Sequence, residues 1–349
     1  MHGAPAGTAH RTARGSATAL LVMTSVLVGG LATGSSAAGP ASLPTTSGRP
    51  TAPGAPTAPG APTAPGPTAG TDPDPASWHL PLEAYRPSWA EESTIGRAET
   101  ALVEQCMSGL GVAWRRAPEI PRIGPRTLTD WRYGIHDARL SAARGYKPDA
   151  AEQARYDAAL RAQQAEPPLS TETLVALGGV QGLPPEEADA AAGAAGRLAA
   201  AGRRIPQGGC YGEARRRLGS ATRGVSALVR ELTSRSFAES QTQPEVREVF
   251  ARWSSCMRGQ GYDYAAPMDA NDDARFAVDP HIVTPLETAT ASADIVCRRR
   301  TRVAETWFDA ESKVQRRLIA ENAPRLAADR SVLDRVLRTT ADVLNRQPS

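Results

Sequence analysis

The candidates for acid–base chemistry are the three histidines beyond residue 77, namely His79, His136 and His281. Two of them have a carboxylate close in sequence, since Asp137 follows His136 directly and Asp279 lies two residues before His281. A carboxylate beside an imidazole can orient the ring for proton transfer. Neither pair is accompanied by a GxSxG or SxxK nucleophile motif. A surface or capping role is the simpler interpretation, and we assign no catalytic residue.

Possible metal ligands occur in an acidic run formed by Asp269, Asn271 and Asp273, which imitates the start of an EF-hand calcium loop. Such a loop requires glycine at its sixth position and a bidentate glutamate at its twelfth. Ala274 and Pro280 stand at these positions, which favours a solvated acidic turn. The chain also has no CxxC or Cys/His cluster for zinc. The sequence predicts no metal site.

Two glycine pairs, in residues 109–111 and 259–261, invite comparison with phosphate-binding loops. Neither pair follows a predicted strand or continues to a third glycine, and no GxxxxGK[ST] motif occurs. We therefore expect no nucleotide and no other cofactor. Hydrolysis of a glycan stays open, because paired carboxylates have no fixed spacing in sequence. Trp253 and Trp307 lie at helical spacing, which favours core positions over sugar stacking.

A repeated motif contains two of the four cysteines. Cys106 opens CMSGLGVAW and Cys256 opens CMRGQGYDY, so both segments begin Cys-Met-x-Gly-x-Gly and end in an aromatic residue, Trp114 or Tyr264. Each follows an amphipathic helical pattern, and glycine reaches the positive φ at which helices commonly end. The repetition predicts two diverged units, each with a helix, a glycine turn, an insert and a returning helix.

Each predicted unit has a second cysteine downstream, Cys210 in the first and Cys297 in the second. The simplest pairing joins Cys106 to Cys210 and Cys256 to Cys297, although four cysteines allow three pairings and the sequence leaves the other two open. Such bonds persist in an oxidising compartment. We expect structural disulfides rather than a redox-active or metal-binding thiol.

Apolar periodicities of three and four residues predict the helices that position these motifs. Between Leu286 and Asn322 one apolar stripe includes Val296, while charged residues such as Arg298 lie off the stripe. A second stripe over 326–344 completes an antiparallel helical hairpin. A further stripe after Pro244, where a first helical residue belongs, consists of Val246, Val249, Phe250, Trp253 and Met257. Other helices are predicted at 90–109, 149–165, 186–202 and 222–237, and the fold class is all-α.

Residues 1–38 have the features of a signal peptide, because Arg11 and Arg14 precede the apolar run Ala17–Leu31 and small residues at 36–38 suit a cleavage site. An uncleaved N-terminal anchor is the alternative. Cleavage removes two of the 40 basic residues and none of the 37 acidic ones, so the net charge falls from +3 to about +1. That charge offers no basic surface for nucleic acid or an anionic membrane. We expect an extracytoplasmic chain, secreted or cell-wall associated.

A Pro/Thr/Ala/Gly-rich spacer follows over residues 39–77, with a PTAPGA repeat from Pro50 to Gly66. Its composition predicts a disordered segment with polyproline II character. At about 3.1 Å per residue, roughly 26 such residues span about 80 Å. Beyond it we expect helical unit 1 at 78–240 and helical unit 2 at 241–349, each with one disulfide, which together may be one domain or two.

Several short motifs resemble a group of exported actinobacterial proteins of uncharacterised activity. They are the Cys-Met-x-x-x-Gly-aromatic-x-aromatic motif of Cys256–Tyr264, the WRYG segment of Trp131–Gly134, the ARGY segment ending at Tyr146 and the GCYGEA box at Cys210. The first copy of the motif departs from this pattern at Val112, where an aromatic residue is usual. The resemblance implies export, a bacterial source and paired cysteines, and it implies no mechanism.

These observations lead to a functional hypothesis. An export signal, a spacer and the lack of catalytic motifs favour a non-enzymatic extracytoplasmic binding or accessory protein of the bacterial cell envelope. Its candidate partners are a cell-wall polymer or an envelope protein, with no nucleic acid and no membrane insertion of the mature chain. The alternatives are an envelope hydrolase acting on peptidoglycan or glycan, and an extracytoplasmic subunit of a membrane complex.

Overall fold

A computed structural model describes residues 74–182 and 187–346, and these residues form α-helices, short 3₁₀ turns and loops without any β-strand. The all-α fold class is therefore confirmed. The predicted signal peptide and the PTAPGA repeat lie outside the described residues. The helices are α1 (Trp89–Gly109), α2 (Ala138–Arg144), α3 (Ala150–Ala165), α4 (Thr171–Gly178), α5 (Ala188–Ala200), α6 (Gly209–Leu218), α7 (Ala227–Ser240), α8 (Pro244–Gly259), α9 (Pro267–Asn271), α10 (Pro285–Thr301), α11 (Val303–Glu321) and α12 (Ala323–Asn345).

The helix starts follow ordinary capping chemistry. Ser88 and Glu91 form a capping box at the start of α1, with each side chain accepting the other residue's backbone N–H. Pro244 is the first residue of α8, as the sequence predicts. The predicted helix at 222–237 instead runs from Ala227 to Ser240, because the hydroxyl of Ser226 accepts the N–H of Val229 and sets a later start.

Both predicted disulfides are present. Cys106 on α1 is bonded to Cys210 on α6, and Cys256 on α8 is bonded to Cys297 on α10. The Cα–Cα separation is 5.6 Å in each pair. Each bond thus joins the last turns of a Cys-Met helix to a helix that comes much later in the chain, over 104 and 41 residues. In the chain-entropy view, closing loops of such length stabilises the folded state by about 4 kcal/mol per bond.

The two Cys-Met helices also end in the same way. Gly111 and Gly261 have φ values of 62° and 90°, whereas Gly109 and Gly259 lie within the helices. The next residue in each copy donates its N–H to the carbonyl of the motif methionine, Val112 to Met107 and Tyr262 to Met257, each at 3.0 Å. This is the six-to-one bond of a Schellman cap. The second glycine of each motif, not the first, therefore reverses the chain.

Two large apolar clusters form most of the core. One cluster combines α1, α4, α5 and α6 with Val336 of α12, so the C-terminal helix packs against the N-terminal one. The other combines α8, α10 and α11 with Tyr133 from a loop, and it contains Trp253 and Trp307, both fully buried. Core positions are thus confirmed for these two tryptophans. A smaller cluster joins α7, α11 and α12 to Leu82.

A buried carboxylate on α11 connects the loop of residues 131–134 to the helices. Glu311 is fully buried and accepts hydrogen bonds from Arg132 Nε at 2.8 Å, from Tyr133 Oη at 2.9 Å and from Ser236 Oγ at 2.8 Å. Gln315 Nε2 donates a further bond at 3.1 Å. Burial, together with the charge of Glu311, raises the pKa of Tyr133, so its phenol stays a proton donor.

A second buried carboxylate lies one helix away, on α10. Asp294 accepts hydrogen bonds from Arg298 Nε at 2.7 Å, from Trp253 Nε1 at 2.8 Å and from Tyr146 Oη at 3.1 Å. The guanidinium of Arg298 also donates to the carbonyls of Tyr133 and Pro267. Arg132 and Tyr133 of the WRYG segment and Tyr146 of the ARGY segment therefore contribute to a polar core.

The polar core corrects the stripe predicted for residues 286–322. Val296 is 57% exposed, whereas Arg298, expected off the stripe, is 5% exposed. The buried face of α10 runs through Ala291, Asp294, Ile295 and Arg298, and loop groups satisfy its charges. The segment is also divided in two, because Arg302 has a φ of 59° and separates α10 from α11.

Two smaller differences concern the ends of the described region. The predicted spacer reaches residue 77, yet Pro75–Ser77 form a 3₁₀ turn capped by Asp74. Thr127 Oγ1 donates to the carbonyl of Ala76, which attaches this turn to the helical body. At the other end, α12 packs mainly against α1 and not along α11, so the predicted hairpin is wrong as a packing unit.

Among the described residues, no helix is long and apolar enough to cross a membrane.

We predict that Glu311→Ala lowers the free energy of unfolding by about 3–5 kcal/mol, because it leaves Arg132 and Tyr133 buried without a partner. Urea denaturation with both disulfides intact measures this change. Glu321→Ala is the matched control, since it removes a carboxylate from an exposed pair with Arg317 that is worth about 0–1 kcal/mol. Equal losses in the two variants would contradict the assignment.

A second prediction separates the two glycines of the Cys-Met motif. Gly261→Ala lowers the free energy of unfolding by about 1–2 kcal/mol because alanine is strained at positive φ. Gly259→Ala raises it by about 0.5–1 kcal/mol, because a Cβ there meets no atom within 4 Å and alanine favours the helix. The two midpoints of urea unfolding should move in opposite directions. Movement in the same direction would refute the cap.

Candidate functional site

His136 is the histidine that the fold places closest to a buried acid. It lies in the loop before α2, and its Nε2 is 2.6 Å from Oδ1 of Asp130. The side chain of Asp130 is 2% exposed and that of His136 is 22% exposed. The pair has the geometry of an imidazole oriented by a carboxylate.

Asp137, which the sequence suggests as the carboxylate partner of His136, instead caps a helix. Its carboxylate accepts the N–H groups of Arg139 and Leu140 and so caps α2. The true partner, Asp130, lies six residues earlier, and no local sequence pattern indicates it. It meets His136 because the intervening turn is held by Arg132 and Tyr133 on the polar core.

The other two histidines lie elsewhere. His281 is exposed and its Nε2 is 3.2 Å from Asp157 of α3, whereas Asp279 accepts the backbone N–H of His281. His79 is exposed, with Nδ1 at 3.4 Å from Glu83. The fold does not bring the three rings together into one site.

Two further groups complete the surroundings of the Asp130–His136 pair. Arg126 contacts both acids, with Nε at 2.9 Å from Asp130 and Nη2 at 3.1 Å from Asp74. Burial acts to raise the pKa of Asp130, but hydrogen bonds from Arg126 and His136 outweigh burial and hold that pKa below its ordinary value. Asp130 is therefore a carboxylate at neutral pH.

Asp74, Asp130 and His136 offer three ligand atoms within 4.8 Å of one another, a spacing that a metal ion would accept. The guanidinium of Arg126, however, already lies against both carboxylates and supplies the positive charge that a cation would bring. The residues therefore fit an ion-pair network better than a metal centre.

Two clefts open on the network. One, of about 480 Å³, is lined by Trp78, Ile135, Arg299 and Glu305 in addition to the network. The other, of about 580 Å³, lies towards Trp131 and the start of α3. Within the described residues no hydroxyl or thiol is hydrogen-bonded to His136. An imidazole oriented by a carboxylate can act as a general base towards water.

A larger groove of about 890 Å³ lies on another face and contains no histidine. Its floor holds Trp114 and Tyr211, whose rings meet edge-to-face with centroids 6.4 Å apart. Both rings are half-buried and pack on the first apolar cluster, the one around α1 and α6. The Cys106–Cys210 bond lies near both, since Trp114 follows α1 and Tyr211 follows Cys210 in α6.

Prolines and one leucine form the walls of this groove. Pro118, Pro167 and Pro168 are exposed, and Leu169 is 46% exposed, which is unusual for a large apolar side chain. The rim carries two arginines, Arg115 and Arg116, and two glutamates, Glu119 and Glu166, so its formal charges balance. We call this surface the aromatic groove. It offers apolar rings and no excess charge.

The polypeptide along the aromatic groove is extended. Residues 113–123 contain no helix, and their N–H groups form no hydrogen bond with the backbone of any other described residue. Gln163 of α3 fixes this segment by donating to the carbonyl of Pro118 at 3.1 Å. The segment thus shows free backbone donors beside two aromatic rings, which suits an extended ligand.

The sequence pattern does not predict the aromatic groove, since the tryptophans at helical spacing, Trp253 and Trp307, are core residues. In the sequence, Trp114 is the end of a Cys-Met motif and Tyr211 is part of the GCYGEA box. The signal for a groove is the proline-rich stretch that follows the end of the first Cys-Met helix.

Comparisons with models of known protein families, with curated proteins and with solved structures found no match.

Proposed function

We propose that this chain is a non-enzymatic extracytoplasmic binding protein of the bacterial cell envelope that holds a cell-wall polymer in the aromatic groove. The observation that carries the proposal is the pair Trp114 and Tyr211, half-buried at the floor of an open, charge-balanced groove. Aromatic rings give large contact areas at low entropic cost. The disulfides support an oxidising compartment outside the cytoplasm.

The position of the groove is consistent with this role. The disulfide Cys106–Cys210 fixes α1 to α6 and so fixes the two rings relative to one another. A binding surface held in advance loses less entropy when its ligand arrives. The N–H groups of the extended segment 113–123 have no backbone partner among the described residues and are available to the same ligand.

We predict that Leu169→Asp lowers the affinity of the mature chain for purified peptidoglycan about tenfold or more, because it places a charge in an apolar wall of the groove. Sedimentation with insoluble peptidoglycan measures the bound fraction. Leu286→Asp is the matched control, since Leu286 is 39% exposed but lies on α10, outside the groove. Equal binding by the two variants, or no binding by the unmodified chain, would contradict the proposal.

An envelope hydrolase is the second candidate, and the Asp130–His136 pair is the observation that favours it. Asp130 orients the imidazole, and the side chain of His136 is 22% exposed and lines an open cleft. Activation of water by such a base contributes about 10²–10⁴-fold to a hydrolytic rate.

The binding proposal predicts that the purified mature chain releases no soluble fragments from peptidoglycan. The hydrolase candidate instead predicts release that falls about 100-fold or more in His136→Gln. His281→Gln is the control, because that ring also contacts a carboxylate but lies on the surface. Fragment release that depends on His136 and not on His281, followed by mass spectrometry, would replace the binding proposal with the hydrolase.

A further inference from the structure

A second cleft adjoins the aromatic groove. It has a volume of about 600 Å³, and the two cavities share Arg116 and Glu119 as lining residues. Arg122 and Arg223 line it as well, together with Trp89. We call it the arginine cleft. Because the two cavities share this part of the chain, a ligand that extends past the aromatic groove on this side enters the arginine cleft.

Carboxylates of α1 hold two of these arginines in place. Arg122 Nη2 lies 2.7 Å from Oε2 of Glu92, and its guanidinium lies 4.4 Å from the centre of the Trp89 ring. Arg223 Nη2 lies 2.5 Å from Oε2 of Glu99, whose side chain is only 3% exposed. The two arginine side chains are 55% and 52% exposed. A guanidinium has five N–H donors, so both groups are ordered in advance and still have donors for a ligand.

Arg116 differs from the other two because no carboxylate among the described residues pairs with it. Its Nη1 donates to the hydroxyl of Thr100 at 2.7 Å, which fixes the side chain without neutralising it. Burial raises the pKa of Tyr211, and the positive charge of Arg116 acts against that rise. The guanidinium of Arg116 is therefore close enough to the floor of the aromatic groove to act on its ring, and no described carboxylate balances its charge.

The surroundings of the arginine cleft carry an excess of positive charge. Arg86 Nη2 lies 3.3 Å from Oε1 of Glu92. Arg215 Nε lies 3.0 Å from Oε1 of Glu99. The whole group therefore contains five arginines and three glutamates, the third being Glu119. The net charge of about +1 of the mature chain conceals this local excess, which favours an anion as the ligand.

The backbone of Arg223 supports a role for its position. Its φ is 54°, in the left-handed region that residues with a Cβ rarely adopt. The hydroxyl of Ser220 accepts the N–H groups of Thr222 and Gly224, each at 3.1 Å, and so fixes the turn that contains Arg223. Strained backbone of this kind is concentrated at functional sites, including those that clamp a ligand. Here the turn holds a guanidinium at the arginine cleft.

We propose that the arginine cleft binds a carboxylate group of the polymer that occupies the aromatic groove. This binding rests on the proposed function and narrows its ligand to an acidic polymer such as peptidoglycan, whose stem peptides carry free carboxylates. A guanidinium fork matches the planar carboxylate and forms two parallel hydrogen bonds with it. Apolar parts of the polymer lie against Trp114 and Tyr211, and a carboxylate of the same polymer lies at Arg116 and its neighbours.

Two indole N–H resonances report on the two cavities separately. Trp89 lines the arginine cleft and Trp114 lines the aromatic groove, and the variants Trp89→Phe and Trp114→Phe assign their signals. The probes are soluble muropeptides released from purified peptidoglycan, either intact or with their carboxylates amidated. In the full mature chain with both disulfides intact, we expect the intact probe to shift both resonances. The amidated probe is expected to shift only that of Trp114.

Arg116→Gln tests the contact itself, because it removes a positive charge that has no carboxylate partner among the described residues. Sedimentation is expected to show a loss of affinity for intact peptidoglycan of about three- to tenfold, and no loss for amidated peptidoglycan. Arg235→Gln is the matched control, since Arg235 on α7 is 52% exposed and lines neither cavity. The same loss with intact and amidated peptidoglycan would overturn the carboxylate contact.

The outcomes separate this proposal from the proposed function. A shift of Trp114 with both probes and no shift of Trp89 with either would overturn the carboxylate site and leave the proposed function standing. A shift of Trp89 with the intact probe alone, with Trp114 unmoved, would support the carboxylate site and overturn the aromatic groove as the wall-binding surface. Two unmoved resonances would overturn both. Inorganic phosphate that shifts Trp89 as far as the intact probe does, at equal concentration, would overturn the choice of a carboxylate.

Discussion

Buried carboxylates on two neighbouring helices fix the polypeptide between α1 and α2, and the candidate sites depend on that constraint. Residues 110–137 contain no α-helix, so their polar groups need partners from elsewhere. Glu311 accepts hydrogen bonds from Arg132 and Tyr133. Asp294 accepts one from Arg298, and Arg298 also donates to the carbonyl of Tyr133. Truncating one member of such a set is costly because its partners stay buried without a bond. The loop therefore has one well-defined arrangement.

This arrangement determines what each surface can do. Residues 131–134 pack against α10 and α11, and the turn that follows places His136 beside Asp130. Arg126 forms ion pairs with both Asp130 and Asp74. Upstream, residues 113–123 bind no buried carboxylate, and the segment past Trp114 contains no helix. One irregular segment thus contributes both an ordered acid–base pair and an open groove.

Much of the scaffold could be predicted from the sequence, because its determinants are local. The repeated Cys-Met-x-Gly-x-Gly motif predicts both helix ends and favours the observed disulfide pairs as the simplest of three pairings. Apolar spacing and Pro244 predict α8. The polar core could not be predicted in this way. Arg298 has the sequence pattern of a solvated residue, and its burial depends on Asp294 and on the carbonyl of Tyr133. The pairing of His136 with Asp130 needs a turn that is held by residues 165 to 179 positions away in the chain. Periodicity identifies a buried face only where that face is apolar.

The position of the chain before α1 favours one of the two candidate functions over the other. Asp74, Pro75 and Trp78 line the cleft at His136, so the polypeptide that leads to the spacer runs along that cleft. A polymer entering it would have to displace or accommodate the chain's own segment, and Asp130 already has its hydrogen bonds taken by Arg126 and His136. None of the residues that line the aromatic groove belongs to this leading segment. A long ligand therefore meets less obstruction at Trp114 than at His136, which is the steric reason to place binding before hydrolysis.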